Sequence, residues 1–90
     1  ETPNHEPFLF LGPNPANPFT WITYQLPYPQ KAELAVYNLL GQKVAVLASG
    51  LQMPGKQTVI WNAARYPSGA YWIRLEAGKL REAKKVVILK

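Results

Sequence analysis

The chain contains no cysteine and no aspartate, and its single histidine, His5, lies among the prolines and polar residues at its start. The first absence removes disulfides, thiolate metal sites and thiol nucleophiles. The second takes away the residue on which oxygen-rich calcium sites lean, and with only His5 available neither a hydrolase triad nor a histidine metal site has its parts. No apolar run approaches the roughly 18 residues a membrane-spanning helix needs. The carboxylates beyond the first seven residues are Glu33, Glu76 and Glu82. Each alternates with apolar neighbours, as solvated charges on a strand face do, and nothing marks two of them as a catalytic pair. Neither catalysis, nor a cofactor, nor a metal is expected.

Ninety residues make one domain, and a chain of that length buries only about 60 to 65% of the surface its unfolded form exposes. The core is therefore small. Three Trp, five Tyr and three Phe within a 48% hydrophobic composition suffice for a folded unit, and nine Pro with six Gly favour short strands and tight turns over long helices. The formal charge of +5 and pI near 9.7 suit an anionic partner or simply solubility. Nucleic acid is not the expected partner, because the basic residues are spread along the chain and only Lys84 and Lys85 adjoin. Glu1 opens the chain without an initiator Met or an apolar leader, which reads as the C-terminal part of a longer protein. Residues 1–7, with little to bury and two stiffening prolines, read as a linker remnant, and residues 8–90 as the domain.

Along the domain the period-2 signal dominates. Phe8-Leu9-Phe10-Leu11 suits a first edge strand, and the loop that follows, residues 12–18, carries three prolines that forbid regular pairing. In residues 20–26, Ile22, Tyr24 and Leu26 share one face and Trp21 the other. Residues 31–39 repeat the pattern with Ala32, Leu34 and Val36, and Asn38 to Gln42 turns the chain, with room for a bulge, into a strand over residues 43–47. Ser49-Gly50 and Pro54-Gly55 read as turns. Residues 56–62 put Val59 and Trp61 opposite Thr58 and Ile60, and Trp61 is the expected largest core side chain. Tyr66-Pro67-Ser68-Gly69 turns into residues 70–77, and Gly78-Lys79 closes a hairpin with a last strand over residues 80–90. Short, regularly spaced strands without helical periodicity predict an all-β fold: an Ig-like sandwich of about seven antiparallel strands in two sheets.

Taken in order, Leu11-Gly12-Pro13-Asn14-Pro15-Ala16-Asn17-Pro18, Ala35-Val36-Tyr37-Asn38-Leu39-Leu40-Gly41-Gln42-Lys43-Val44, Gly55 to Asn62, and Pro67-Ser68-Gly69-Ala70-Tyr71 resemble the type A C-terminal sorting domain of the type IX secretion system. They are also similar to the Ig-like domain of the flagellar hook-capping protein. The resemblance spans residues 9–90. It implies a signal domain that directs an N-terminal cargo across the outer membrane of Bacteroidetes-type bacteria, read by an outer-membrane translocon and removed by a sortase-like protease. The family motif places recognition elements on Pro13, Asn14, Pro15, Tyr37, Asn38, Gly41, Ser68, Gly69, Lys85, Val86, Val87, Ile88, Leu89 and Lys90. Ala16 stands where the family commonly has an aromatic residue, and Trp21 where a small polar one is common.

Plain structural roles stand beside these. Gly41 and Gly69 suit turns, and Tyr37 and Tyr71 suit packing with a hydrogen-bonded hydroxyl. The proline loop rigidifies a crossover and protects an edge, or else serves as a docking surface. The apolar end of the last strand is either a strand flanked by basic gatekeepers or an epitope for strand addition. Trp21 and Trp72 fall opposite the core positions of their strands. If those strands are neighbours, the two rings form an exposed platform for sugar rings, with Arg74 beside them for hydroxyl groups, and the chain then reads alternatively as an accessory carbohydrate-binding or structural β-sandwich module of a secreted glycoside hydrolase, with polysaccharide as its partner.

Overall fold

The computed structural model describes residues 8–89; the proposed linker at residues 1–7, and Lys90, lie outside the described residues. Seven strands form: β1 (Phe8–Gly12), β2 (Phe19–Leu26), β3 (Gln30–Tyr37), β4 (Lys43–Gln52), β5 (Gly55–Asn62), β6 (Gly69–Ala77) and β7 (Leu80–Ile88). They make a three-stranded sheet in the order β1-β2-β5 and a four-stranded sheet in the order β4-β3-β6-β7, every ladder antiparallel. This is the all-β two-sheet sandwich that the spacing of strands and turns predicts, and it is consistent with an Ig-like arrangement. No helix among the described residues is long and apolar enough to cross a membrane.

The core follows from alternation. Thr20, Ile22, Tyr24 and Leu26 of β2 point inward, as do Tyr71, Ile73, Leu75 and Ala77 of β6 and Val86 and Ile88 of β7, all of them buried. Trp61 is the largest buried side chain and packs its ring near those of Tyr66 and Tyr71, with centroids 5.5 and 6.0 Å away. The Tyr71 hydroxyl donates to the Pro67 carbonyl, four residues upstream, at 2.8 Å. A tyrosine at the start of a strand bonding back across the corner before it is a recurrent device of Ig-like sandwiches, and it fixes the crossover from β5 to β6.

One turn expectation fails. Ser49-Gly50 lies inside β4, because Ala32 and Glu33 of β3 pair with Gly50 and Ser49 and carry the ladder on to Gln52. A local Ser-Gly turn signal is overridden by a long-range partner, and Gly50 absorbs a φ of +104° without a Cβ penalty. The register between β3 and β4 slips twice, leaving Leu47 and Val44 as the extra residues of two bulges. Both side chains pack against the core from there.

Replacing Tyr71 with Phe removes one corner hydrogen bond at nearly constant volume and should lower the unfolding free energy by about 1 kcal/mol, with an unchanged m-value in urea. A second expectation concerns Tyr24, whose hydroxyl donates to Gln52 Oε1 at 2.9 Å. Burial pushes its pKa above the ordinary 10.0. The folded state then favours the neutral phenol, so this contribution is complete below the unfolded pKa and is lost as pH rises through the folded one. Urea midpoints measured on both sides of that range should fall less in Tyr24→Phe than in the parent.

Candidate functional site

The loop between β1 and β2 is bonded to the last strand. Asn14 uses both ends of its amide: Nδ2 donates to the Lys85 carbonyl at 3.2 Å and Oδ1 accepts from the Val87 amide at 3.0 Å. Two residues on, the Ala16 amide donates to the Val87 carbonyl at 2.7 Å and the Leu89 amide to the Ala16 carbonyl at 2.8 Å, a short parallel bridge. The loop is held from its other side by Thr20, whose fully buried hydroxyl donates to the Pro13 carbonyl at 2.7 Å. Pro13 and Pro15 remain exposed. Regular pairing is denied to prolines, yet a residue between two of them still has an amide and a carbonyl to give. The proline loop thus protects an edge, the outer margin of β7 over residues 85–89.

Other motif residues gather at the same end of the sandwich. Gly69 opens β6 directly opposite Ile88, so Ile88 lies between Gly69 on one side and Ala16 on the other. Val86 and Ile88 are core residues, 0% and 1% exposed, while Lys85, Val87 and Leu89 are exposed. One row across the outer face of the four-stranded sheet reads Lys43, Tyr37, Trp72, Lys85. Asn38, next to Tyr37, builds the β3–β4 turn: its Oδ1 accepts from the Leu40 and Gln42 amides at 2.9 and 3.0 Å, and its Nδ2 donates to Gln42 Oε1 at 2.8 Å. Gly41 completes the turn at φ +83°, a conformation that a side chain would strain.

A shallow cleft of ≈ 420 Å³ opens on this face, lined by Tyr37, Asn38, Leu39, Gly41, Trp72, Arg74 and Ala83. Arg74 is among its lining residues. The guanidinium lies 4.4 Å from the Tyr37 ring centroid, donates to the Tyr37 hydroxyl at 3.0 Å, and pairs with Glu76 at 2.8 Å. Its Nε is buried without a hydrogen-bond partner. Register contributes to the hollow: Ala83 flanks Arg74 on β7, and its methyl group leaves space that a larger residue would fill. Lys43 bonds both Glu33 carboxylate oxygens at 3.0 Å, which holds its ammonium above the ordinary 10.5.

The two tryptophans do not share a surface. Trp21 is on β2 in the three-stranded sheet and Trp72 on β6 in the other, each pointing away from the core, so the rings sit on opposite outer faces. The shared aromatic platform is therefore corrected: alternation turns both outward, but each strand pairs within its own sheet. Arg74 stands beside Trp72 alone. Lys90 lies outside the described residues, and Ser68 sits at the corner before Gly69. The sequence reading missed Ala16, Thr20 and Ala83 as contributors. Thr20 was within reach, since it shares parity with buried Ile22 and Tyr24; the two alanines carry no local signal.

Substituting Asn14 with Ala should cost about 1 to 2 kcal/mol, because the loop loses two hydrogen bonds and the Val87 amide loses its acceptor. Hydrogen exchange should show the Val87 amide losing protection well before the amides of β2.

A family model described as secretion system C-terminal sorting domain matches residues 11–89. No curated protein and no solved structure matches the chain significantly. With a match that runs from the proline loop to the end of the last strand, this chain belongs to the family of C-terminal sorting domains, the signals of type IX secretion.

Proposed function

We propose that the export machinery reads the folded end of the sandwich where the proline loop, the Ser68-Gly69 corner and the close of β7 meet. As a sorting domain the chain is a signal and is not itself catalytic; it is carried at the C-terminal side of a cargo that goes to the cell surface or the medium. The observation that carries the finer reading is the convergence of three separate motif segments on one strand end: Asn14 to Ala16 on one side of β7, Gly69 on the other, and residues 85–89 between them. Packing needs only Val86 and Ile88 from that end. Lys85, Val87 and Leu89 are left outside as a surface that a receptor can contact. An outer-membrane translocon is the reader in this reading, the route runs through the periplasm, and a sortase-like protease then removes the domain.

Deleting the last six residues would test folding and recognition together, since it removes two core side chains. Point changes separate them. A fluorescent cargo fused to this chain should be exported by a host with a type IX system, and Lys85→Glu with Val87→Asn should cut export about tenfold, the effect of losing about 1.4 kcal/mol of recognition. Circular dichroism and the urea midpoint should show the doubly changed domain still folded. A parent fusion that stays in the periplasm would overturn the sorting role, and a folded double variant exported like the parent would move recognition elsewhere on the domain.

A further inference from the structure

The two outer faces of the sandwich are unlike. That of the four-stranded sheet carries Glu33, Lys43, Arg74, Glu76, Arg81 and Lys85, most of them in ion pairs. That of the three-stranded sheet carries one charged residue among those described, Lys56 near the start of β5, and four large apolar side chains. Phe10, Phe19, Trp21 and Ile60 are 64, 48, 50 and 66% exposed. Register makes them contiguous: Trp21 lies between Gly12 and Ile60, with Phe10 diagonal to it on β1 and Phe19 two residues back on its own strand. In the next row Thr23 and Thr58 hydrogen-bond hydroxyl to hydroxyl at 3.1 Å, so covering these two polar groups costs little.

We propose that this face docks a second copy of the chain, sheet on sheet about a two-fold axis, as the two sheets already stack inside the domain. Area supports that occupant. Side chains of this size carry about 150–250 Å² each, so their exposed fractions amount to about 450 Å² of apolar surface. With the threonines and the polar residues around them, each copy offers roughly 600–700 Å², and two copies reach the lower end of the range of specific interfaces. The composition fits as well, with aromatic and aliphatic groups at the centre and the single lysine toward one end. Gly12 supplies the complement to Trp21, since a Cβ there would meet nothing within 4 Å and the space beside one indole can receive the indole of the other copy. Like charges are kept apart, because the basic groups of β3, β4, β6 and β7 belong to the other sheet. For the same reason the end of β7 and the proline loop's seam with it remain accessible in the dimer. The inference does not rest on the sorting role.

Sedimentation equilibrium of the whole chain from about 10 μM to about 1 mM spans the affinities that an interface of this size allows. The parent should pass from monomer to dimer within that range. Ile60→Lys places a charge in the centre of the patch and should raise the dissociation constant at least about tenfold. Because residue 60 points away from the core, circular dichroism should show this variant folded. Should it fail to fold, Trp21→Thr, which keeps a β-branched residue in the strand, provides the second test with the same loss expected. The tryptophans report which face is covered, since Trp61 is buried and Trp21 and Trp72 lie on opposite outer faces. On raising the concentration, the indole N–H resonance of Trp21 should shift and that of Trp72 should stay. A parent that remains monomeric throughout, folded variants that dimerise as tightly as the parent, or a shift at Trp72 without one at Trp21 would each overturn the proposal. So would a monomeric parent whose Trp21 resonance moves on adding a soluble polysaccharide, which would give the face to a different occupant.

Discussion

Four hydrogen bonds between residues 14–16 and 85–89 hold the last strand of the sandwich against a loop that comes from the other sheet. Each bond contributes about 1 kcal/mol net. Their importance lies in position. The chain leaves β1 at the edge of the three-stranded sheet, crosses to the margin of β7 in the four-stranded one, and returns to begin β2. The seam thereby joins the two sheets along one side and satisfies backbone groups that a terminal strand would otherwise leave bare. Val86 and Ile88 are fixed in the core by the same stretch whose alternate residues face solvent. Core packing and solvent display are two faces of one strand, so the surface displayed there exists only while the domain is folded.

Electrostatics divides along the same strand. On the outer face of the four-stranded sheet Glu33 is engaged by Lys43, and Glu76 by Arg74 and Arg81. These exposed and half-exposed pairs add little stability, but they order the Arg74 guanidinium over Tyr37 and so shape the cleft. Among the described residues Lys79, Lys84 and Lys85 have no carboxylate partner. The fold gathers some of the basic groups that are diffuse along the sequence: antiparallel pairing sets Lys85 in one row with Lys43, and the final hairpin brings Arg81 opposite Glu76.

Much of this was readable from residue order, and particular elements show where reading stopped. Period-2 alternation in β2, β3 and β6 identifies inward and outward residues because the pleat alone decides them. Tyr71, five residues after Tyr66 and just beyond a Pro-Ser-Gly corner, suits a packed ring with a bonded hydroxyl. By contrast, Ser49-Gly50 looks like a turn and is strand, since the local signal competes with the β3 ladder and loses. The proline loop was legible as rigid and as edge-protecting or docking; which edge it covers was not, because Asn14 and Lys85 are 71 residues apart in the chain.

The sequence by itself determined the fold class, the face each strand side chain takes, the turns at Gly41 and Gly69 and the absence of catalytic parts, all consequences of local geometry and chemical inventory. The tertiary structure alone decided which strands are neighbours. That choice separated Trp21 from Trp72, placed Ala16 against Ile88, and hollowed the sheet around Arg74. Strand pairing is made by backbone groups that every residue carries, so the sequence marks that a strand exists while the packing of the whole domain selects its partner.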